Sequence, residues 1–127
     1  MAHSSTRKGK IGELLVINDL LDKGYDVYLP VVDDNGVDLI VMNNDRVKKI
    51  QVKTHSYANG TANSIEVNTR RLYNADVLAV PIVPKDSICY LKTPISKRAI
   101  TIAYEDSLNG QKLKRNWYED YLDFPWD

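Results

Sequence analysis

Val37-Asp38-Leu39-Ile40-Val41-Met42-Asn43-Asn44-Asp45-Arg46-Val47-Lys48-Lys49-Ile50-Gln51-Val52-Lys53-Thr54 is the stretch on which the fold turns. Two strand-like runs, Val37 to Met42 and Val47 to Thr54, flank the polar tetrad Asn43-Asn44-Asp45-Arg46. Asn and Asp tolerate the positive φ of a tight hairpin. With Asn44 and Asp45 at the tip, Met42 faces Val47 and Asp38 faces Gln51. Strand alternation then puts Asp38, Gln51 and Lys53 on one face. The other face carries Val37, Leu39, Val41, Ile50 and Val52, all apolar, and belongs to a core. The polar face carries its three functional groups at the open end of the hairpin.

Upstream, the pattern changes from a period of two to one of 3.6. A helix is predicted over Thr6 to Lys23, with Ser4, Ser5 and Thr6 as N-cap hydroxyls and Gly24 as the stop. Leu14, Ile17, Leu20 and Leu21 form its apolar face. Glu13 falls one turn before Ile17, inside that arc, with Lys10 beside it. A carboxylate in such a place loses hydration and needs a partner or a metal. Tyr25 to Leu29 then reads as a strand ending at Pro30, followed by a polar loop through Asp33-Asp34-Asn35-Gly36.

Downstream, His55 to Asn63 is a polar loop and Ser64 to Val67 a short strand. Val77 to Val83 and Ser87 to Leu91 pair around Pro84-Lys85-Asp86. Ala99 to Tyr104 is extended. Leu113, Trp117 and Tyr121 recur every four residues and predict a C-terminal helix over Gln111 to Leu122. The order of elements gives an α/β (α+β) fold, one mixed central sheet flanked by helices.

At 127 residues, the chain fits a single domain, 1–127, large enough to bury its own core. Hydrophobic residues at 43% and charged residues at 27% are an ordinary soluble mixture. No apolar run approaches the roughly 20 residues that span a bilayer, so no membrane association is expected and the localisation reads as cytoplasmic. Cys89 is the one cysteine, which excludes an intramolecular disulfide and a thiolate zinc site. Lysine plus arginine and aspartate plus glutamate each number 17, for zero net charge. A large nucleic-acid-coating surface is thereby disfavoured, and local basic clusters are not. Such clusters occur at Arg7, Lys8 and Lys10, at Arg70 and Arg71 beside Tyr73, and at Lys112, Lys114 and Arg115.

Phosphodiester hydrolysis at neutral pH requires a strong nucleophile and a sink for negative charge. Mg²⁺ supplies both, through oxygen ligands that include one or two carboxylates. A nearby Lys stabilises developing charge or orients the attacking water. Asp38, Gln51 and Lys53 meet these needs if Glu13 joins them.

These residues resemble a known family. Gly12-Glu13 on a first helix, Gly36-Val37-Asp38-Leu39-Ile40 on a strand, and Ile50-Gln51-Val52-Lys53-Thr54 on the next are similar to the PD-(D/E)xK nuclease superfamily, with small Holliday-junction resolvases and intron-encoded homing endonucleases as the nearest likeness. The resemblance implies a restriction-endonuclease-like fold and a DNA endonuclease that is structure-specific or of homing or restriction type. It implies a metal site of Asp38, Gln51, the Val52 carbonyl and Glu13, with Lys53 assisting catalysis. Mg²⁺ is the implied cofactor, with Mn²⁺ able to substitute. The partners are DNA and further copies of the chain, as homodimer or homotetramer, and a bacterial, archaeal or phage protein of this kind would work at the nucleoid.

Two departures stand out. Val37, not proline, precedes Asp38, and Gln51 stands where the family has an acid. An amide oxygen ligates Mg²⁺ without bringing charge, so the alternative is a weak or inactive DNA-binding module that keeps the fold. Arg7, Lys8, Lys10, Arg70 and Arg71 are the candidate DNA contacts. Asp33 and Asp34 read as loop-solvating acids and stay outside the metal set. His55 reads as a solvent-facing loop histidine.

Overall fold

The computed structural model describes residues 4–57, 63–72, 74–106 and 116–127. Helix α1 spans Ser5–Asp22. The Ser4 hydroxyl accepts the Arg7 N–H at 3.2 Å, and Gly24 takes φ +87° just past the last turn. Both helix ends therefore lie where the cap residues put them.

The face that α1 buries keeps Leu20 of the expected one but is turned away from Leu14 and Leu21. Gly12, Val16 and Leu20, four residues apart, form the buried ridge. Ile17 is half-buried, while Leu14 and Leu21 are 56% and 54% exposed. Gly12 has no side chain, so it carried no weight in an apolar count. It allows the close approach to the sheet that turns the helix onto this ridge.

The strands are β1 (Asp26–Tyr28), β2 (Leu39–Asn43), β3 (Arg46–Val52), β4 (Ser64–Asn68), β5 (Val77–Ile82), β6 (Ser87–Lys92), β7 (Ala99–Ala103) and β8 (Asn116–Trp117). Five form the main sheet in the order β1-β2-β3-β5-β6, with β3 and β5 parallel and the other neighbours antiparallel. The hairpin register holds: Met42 pairs with Val47 and Leu39 with Ile50, and Asn44 takes φ +56° at the tip.

A second sheet, β4-β7-β8, was not anticipated. It covers the face of the main sheet opposite α1, giving three layers: helix, mixed sheet, small sheet. One core lies under α1, around Val16, Leu20, Leu39, Val41, Ile50 and Tyr90. The other lies between the sheets, around Val67, Leu78, Val80, Ile82, Leu91 and Ile102. Every residue of β5 is buried, because its alternate side chains enter the two cores. This is the near-continuous apolar run of a strand covered on both sides.

The predicted C-terminal helix is absent over residues 116–122; Leu113 lies outside the described residues. Asn116–Trp117 pairs parallel with Ile102 and Ala103, and Tyr118–Tyr121 is a 3-10 turn. Spacings of four among three residues are weak evidence beside strand-favouring aromatics next to an open β7 edge. The tail beyond closes the first core: Phe124 and Trp126 pack edge-on against Tyr25, and Arg46 lies 5.3 Å over the Trp126 ring while pairing with Asp127. Among the described residues, no helix is long and apolar enough to cross a membrane.

Candidate active site

Asp38 lies one residue ahead of β2, and its N–H donates at 2.8 Å to the carbonyl of Ile50, the residue that pairs with Leu39. Its carboxylate turns back onto β3 and accepts the Val52 N–H at 2.8 Å. That bond fixes the carboxyl at the sheet margin. Glu13, in the first half of α1, comes to the same margin with a side chain only 14% exposed. Asp33 arrives from the loop before β2. One carboxylate oxygen from each of Glu13, Asp33 and Asp38 lies within 4.8 Å of the others.

Asp33 is the residue that the sequence reading set aside. Loop acids are usually solvated, and Asp33 is indeed exposed. Only the path of the loop, from β1 to the hairpin, carries it to Asp38. No local spacing signals this.

Three converging carboxylates repel one another. Burial, the hydrogen bond with Asp33, and the charges of Asp33 and Glu13 push the Asp38 carboxyl up to about 6, against the downward pull of the Val52 N–H. Lys10 offsets part of this charge. Its ammonium lies 2.7 Å from Glu13, which raises its pKa above the ordinary lysine value. Lys10 is thus engaged with the acids rather than held out free.

Gln51 completes the picture from β3. Its Oε1 is buried and has no hydrogen-bond partner. Buried polar atoms are nearly always satisfied, so an orphan calls for an explanation. Among the described residues, three such orphans occur at the end of β3: Gln51 Oε1, Thr54 Oγ1 and His55 Nδ1. An acid cluster beside an unpartnered amide oxygen is an all-oxygen donor set, which suits a hard divalent cation. The residues present fit such an ion.

Lys53 follows β3, where its N–H donates to the Ala79 carbonyl at 2.9 Å. Among the described residues it forms no ion pair with the three acids. His55 is not solvent-facing as expected. It is half-buried, its Nε2 lies 3.1 Å from the Glu66 carbonyl, and burial lowers its pKa, keeping the ring neutral.

Gly12 and Thr54 make the closest helix–sheet contact here. A Cβ on Gly12 would lie 1.9 Å from Thr54 Oγ1 and 3.0 Å from Thr54 Cβ and Cγ2. The contact sets the spacing between their chain neighbours, Glu13 and Lys53.

Two basic segments touch elements that adjoin the cluster. Lys8 donates to the Ser56 hydroxyl at 2.8 Å, so the start of α1 lies beside the segment after Lys53. Arg71 takes φ +62°, and a Cβ on Gly36 would lie 4.0 Å from the Arg71 carbonyl and 3.7 Å from Gln51 Oε1. Arg70 and Arg71 are exposed. Tyr73, Lys112, Lys114 and Arg115 lie outside the described residues.

Residues 3–124 match a family model described as PD-(D/E)XK endonuclease. None of the curated proteins compared matches the sequence. Among solved structures, a bacterial homing endonuclease, I-Ssp6803I, superposes with a TM-score of 0.71 at 20% identity, over 84% of this chain and 80% of that one. The Holliday junction resolvase Hjc of Archaeoglobus fulgidus superposes with a TM-score of 0.51 at 14% identity, over 76% of this chain and 84% of that one. At these identities the likeness is one of fold.

Proposed function

This chain belongs to the PD-(D/E)XK endonuclease family, and on that premise we propose that it is a divalent-metal-dependent DNA endonuclease with Mg²⁺ as its ion. The observation that carries this reading is the meeting of Glu13, Asp33 and Asp38, with the orphan Oε1 of Gln51 on the adjoining strand β3. Glu13, Asp38 and Gln51 hold the ion, with the Val52 carbonyl; Asp33 is a further carboxylate within reach. When bound, Mg²⁺ lowers the pKa of water and draws charge from the phosphate oxygens. The Lys53 ammonium stabilises the charge that develops on the phosphate. Lys10, 2.7 Å from Glu13, is the cation that neutralises this carboxylate within the site. Arg7, Lys8, Arg70 and Arg71 bind the DNA backbone on either side of the cluster.

One active site cuts one strand, so cleavage of a duplex requires at least two copies, as homodimer or homotetramer. The outward stripe of Ile11, Leu14 and Leu21 on α1 supports self-association. The small size favours structure-specific cutting, as in a junction resolvase, over base-by-base readout. Homing or restriction activity ranks second. Such an enzyme works in the cytoplasm, and at the nucleoid if it is a bacterial, archaeal or phage protein.

The test is Mg²⁺-dependent nicking of supercoiled and branched DNA. Wild type nicks; Lys53→Ala retains DNA binding and loses at least about 10²-fold in rate, the worth of one well-placed charge-stabilising group. Equal rates for the two proteins would defeat the assignment of Lys53. No nicking by wild type with Mg²⁺ or Mn²⁺ would favour the second reading, a DNA-binding module without catalysis, for which the neutral Gln51 is the supporting observation. Gln51→Glu separates the readings further. It restores the family's acid and should tighten Mg²⁺ binding, seen as a larger Mg²⁺-induced rise in Tm, while the metal-free protein is destabilised at neutral pH by a fourth carboxylate.

A further inference from the structure

The chain carries equal numbers of acidic and basic residues, yet they are sorted in space. A cleft of about 800 Å³ opens between the segment after β4 and the connection from β6 to β7. Arg70 and Arg71 line it from one side, Lys97 and Arg98 from the other, and no Asp or Glu lines it. All four cations are exposed. Among the described residues none of them forms an ion pair. By contrast, Asp19, Asp22 and Asp86 gather at a separate hollow beside α1.

The cleft walls are tied together. The Thr69 N–H donates to the Arg98 carbonyl at 3.0 Å, and the Thr69 hydroxyl donates to the Lys97 carbonyl. Asn68 Oδ1 accepts the Arg70 N–H at 2.8 Å, and the Thr93 hydroxyl donates to the Ala75 carbonyl at 2.6 Å. Arg71 is held at φ +62°, a conformation that costs a non-glycine residue about 1 kcal/mol and persists only where its surroundings impose it. Like charges held together in this way gain from an extended polyanion that neutralises several of them at once.

The segment that lines the cleft also touches the loop that carries Asp33. Arg71 lines it while its carbonyl lies against Gly36, whose other neighbour is Gln51 Oε1. Asn74 Nδ2 donates to the Asn35 carbonyl at 2.6 Å and ties the same segment to the loop that carries Asp33. The floor of Leu72, Ala75 and Ile95 is apolar, which suits the deoxyribose faces between successive phosphates.

We infer that this cleft seats the sugar–phosphate backbone of the DNA strand next to the cleaved bond, and that Lys97 and Arg98 are phosphate-binding residues. The inference rests on the DNA endonuclease reading and adds to it the path of the strand. Lys97 and Arg98 come from a connection with no motif character and are joined to Arg70 and Arg71 only by the fold.

The experiment measures binding of a fluorescein-labelled duplex by anisotropy in EDTA, from about 50 to 200 mM salt. Lys97→Ala/Arg98→Ala should bind more weakly at every salt concentration. The slope of log K against log salt should shrink by about 2, since each phosphate contact contributes about 0.9. Arg70→Gln, an independent variant of the opposite wall, should shrink it by about 1. Lys85→Ala, which removes a cation paired with Glu105 at 2.6 Å outside the cleft, should leave the slope unchanged. The substituted cleft side chains are exposed, so Tm should stay at the wild-type value. If wild type binds DNA and both cleft variants bind with the same affinity and slope, the cleft assignment is wrong and the endonuclease reading stands; a cleft built for an acidic protein would give this result. If wild type itself fails to retain DNA at low salt, both fall.

Discussion

Asp38→Asn should abolish nicking and, in the same molecule, raise the melting temperature of the metal-free protein at pH 7.5. The two effects have one cause. Burial, Asp33 and Glu13 raise the Asp38 carboxyl from 3.8 to about 6, so the folded protein holds this proton more tightly than the unfolded chain does. For such a group the stabilising contribution is complete below pH 3.8 and is lost as pH rises through about 6. At pH 7.5 the carboxylate is ionised among like charges, and its presence is a cost. An amide oxygen can still accept the Val52 N–H at this position, so the substitution removes the charge and keeps the register. The gain should be on the order of 1 kcal/mol, discounted because the carboxyl is only half-buried, or a Tm rise of a few degrees. Below pH 4 the difference should vanish.

With Mg²⁺ the order should reverse. Wild type gains stability by mass action, up to about 2.7 kcal/mol when the ion is at a hundred times its Kd, and the variant gains much less. The rate should fall by at least about 10²-fold, since an ion's charge stabilisation is worth several kcal/mol and each 1.36 kcal/mol is a factor of ten. Thermal melts at pH 4 and 7.5, with EDTA or Mg²⁺, together with a nicking assay, check every part. A variant less stable than wild type in EDTA at pH 7.5 would show that Asp38 is compensated in some way other than by a cation. The trade of stability for function that this predicts is common at active sites.

The second large effect is expected from a methyl group. In Gly12→Ala the new Cβ meets Thr54 at 1.9 Å from Oγ1 and 3.0 Å from Cβ and Cγ2. The contact with Oγ1 is the one that cannot stand, Cγ2 crowds the same space, and the Thr54 Cβ at 3.0 Å asks for only a few tenths of an ångström of give between helix and strand. Overpacking of this kind costs about 1–3 kcal/mol, partly offset by the roughly 1 kcal/mol that alanine gains over glycine in a helix. A net loss of up to about 2 kcal/mol should appear as a lowered Tm. Activity should fall further than stability, because Glu13 rides on the displaced turn and a misplacement of about 1 Å can cost 10²-fold.

Thr54→Ala alone should be close to neutral, since the Thr54 hydroxyl is buried without a partner. Combined with Gly12→Ala, it should recover most of the lost stability and activity, a coupling that a double-mutant cycle reads directly. Additive losses would mean that the two residues do not share a contact that matters.

The hairpin from Val37 to Thr54 was legible from sequence because its information is local. A polar tip fixes the register, and so the pairing of Met42 with Val47 and of Leu39 with Ile50 follows before any other element is considered. The limits of α1 were legible for the same reason, since Ser4 and Gly24 act on adjacent backbone. The family likeness, drawn from the segments around Glu13, Asp38 and Lys53, rests on the same local elements.

Tertiary structure alone decided the rest. Which ridge of α1 is buried depends on Gly12 meeting Thr54, a contact across the layers that no apolar count can register. Whether residues 116–122 coil into a helix or extend depends on the open edge of β7. Asp33 became part of the acid cluster, and Lys97 and Arg98 became neighbours of Arg70 and Arg71, because loops distant in sequence are brought to the same margins of the sheets. Local sequence specifies torsion angles and the facing of side chains. The distances between charges on separate elements are set by packing, and it is those distances that gather the acids at one margin of this protein and the cations at another.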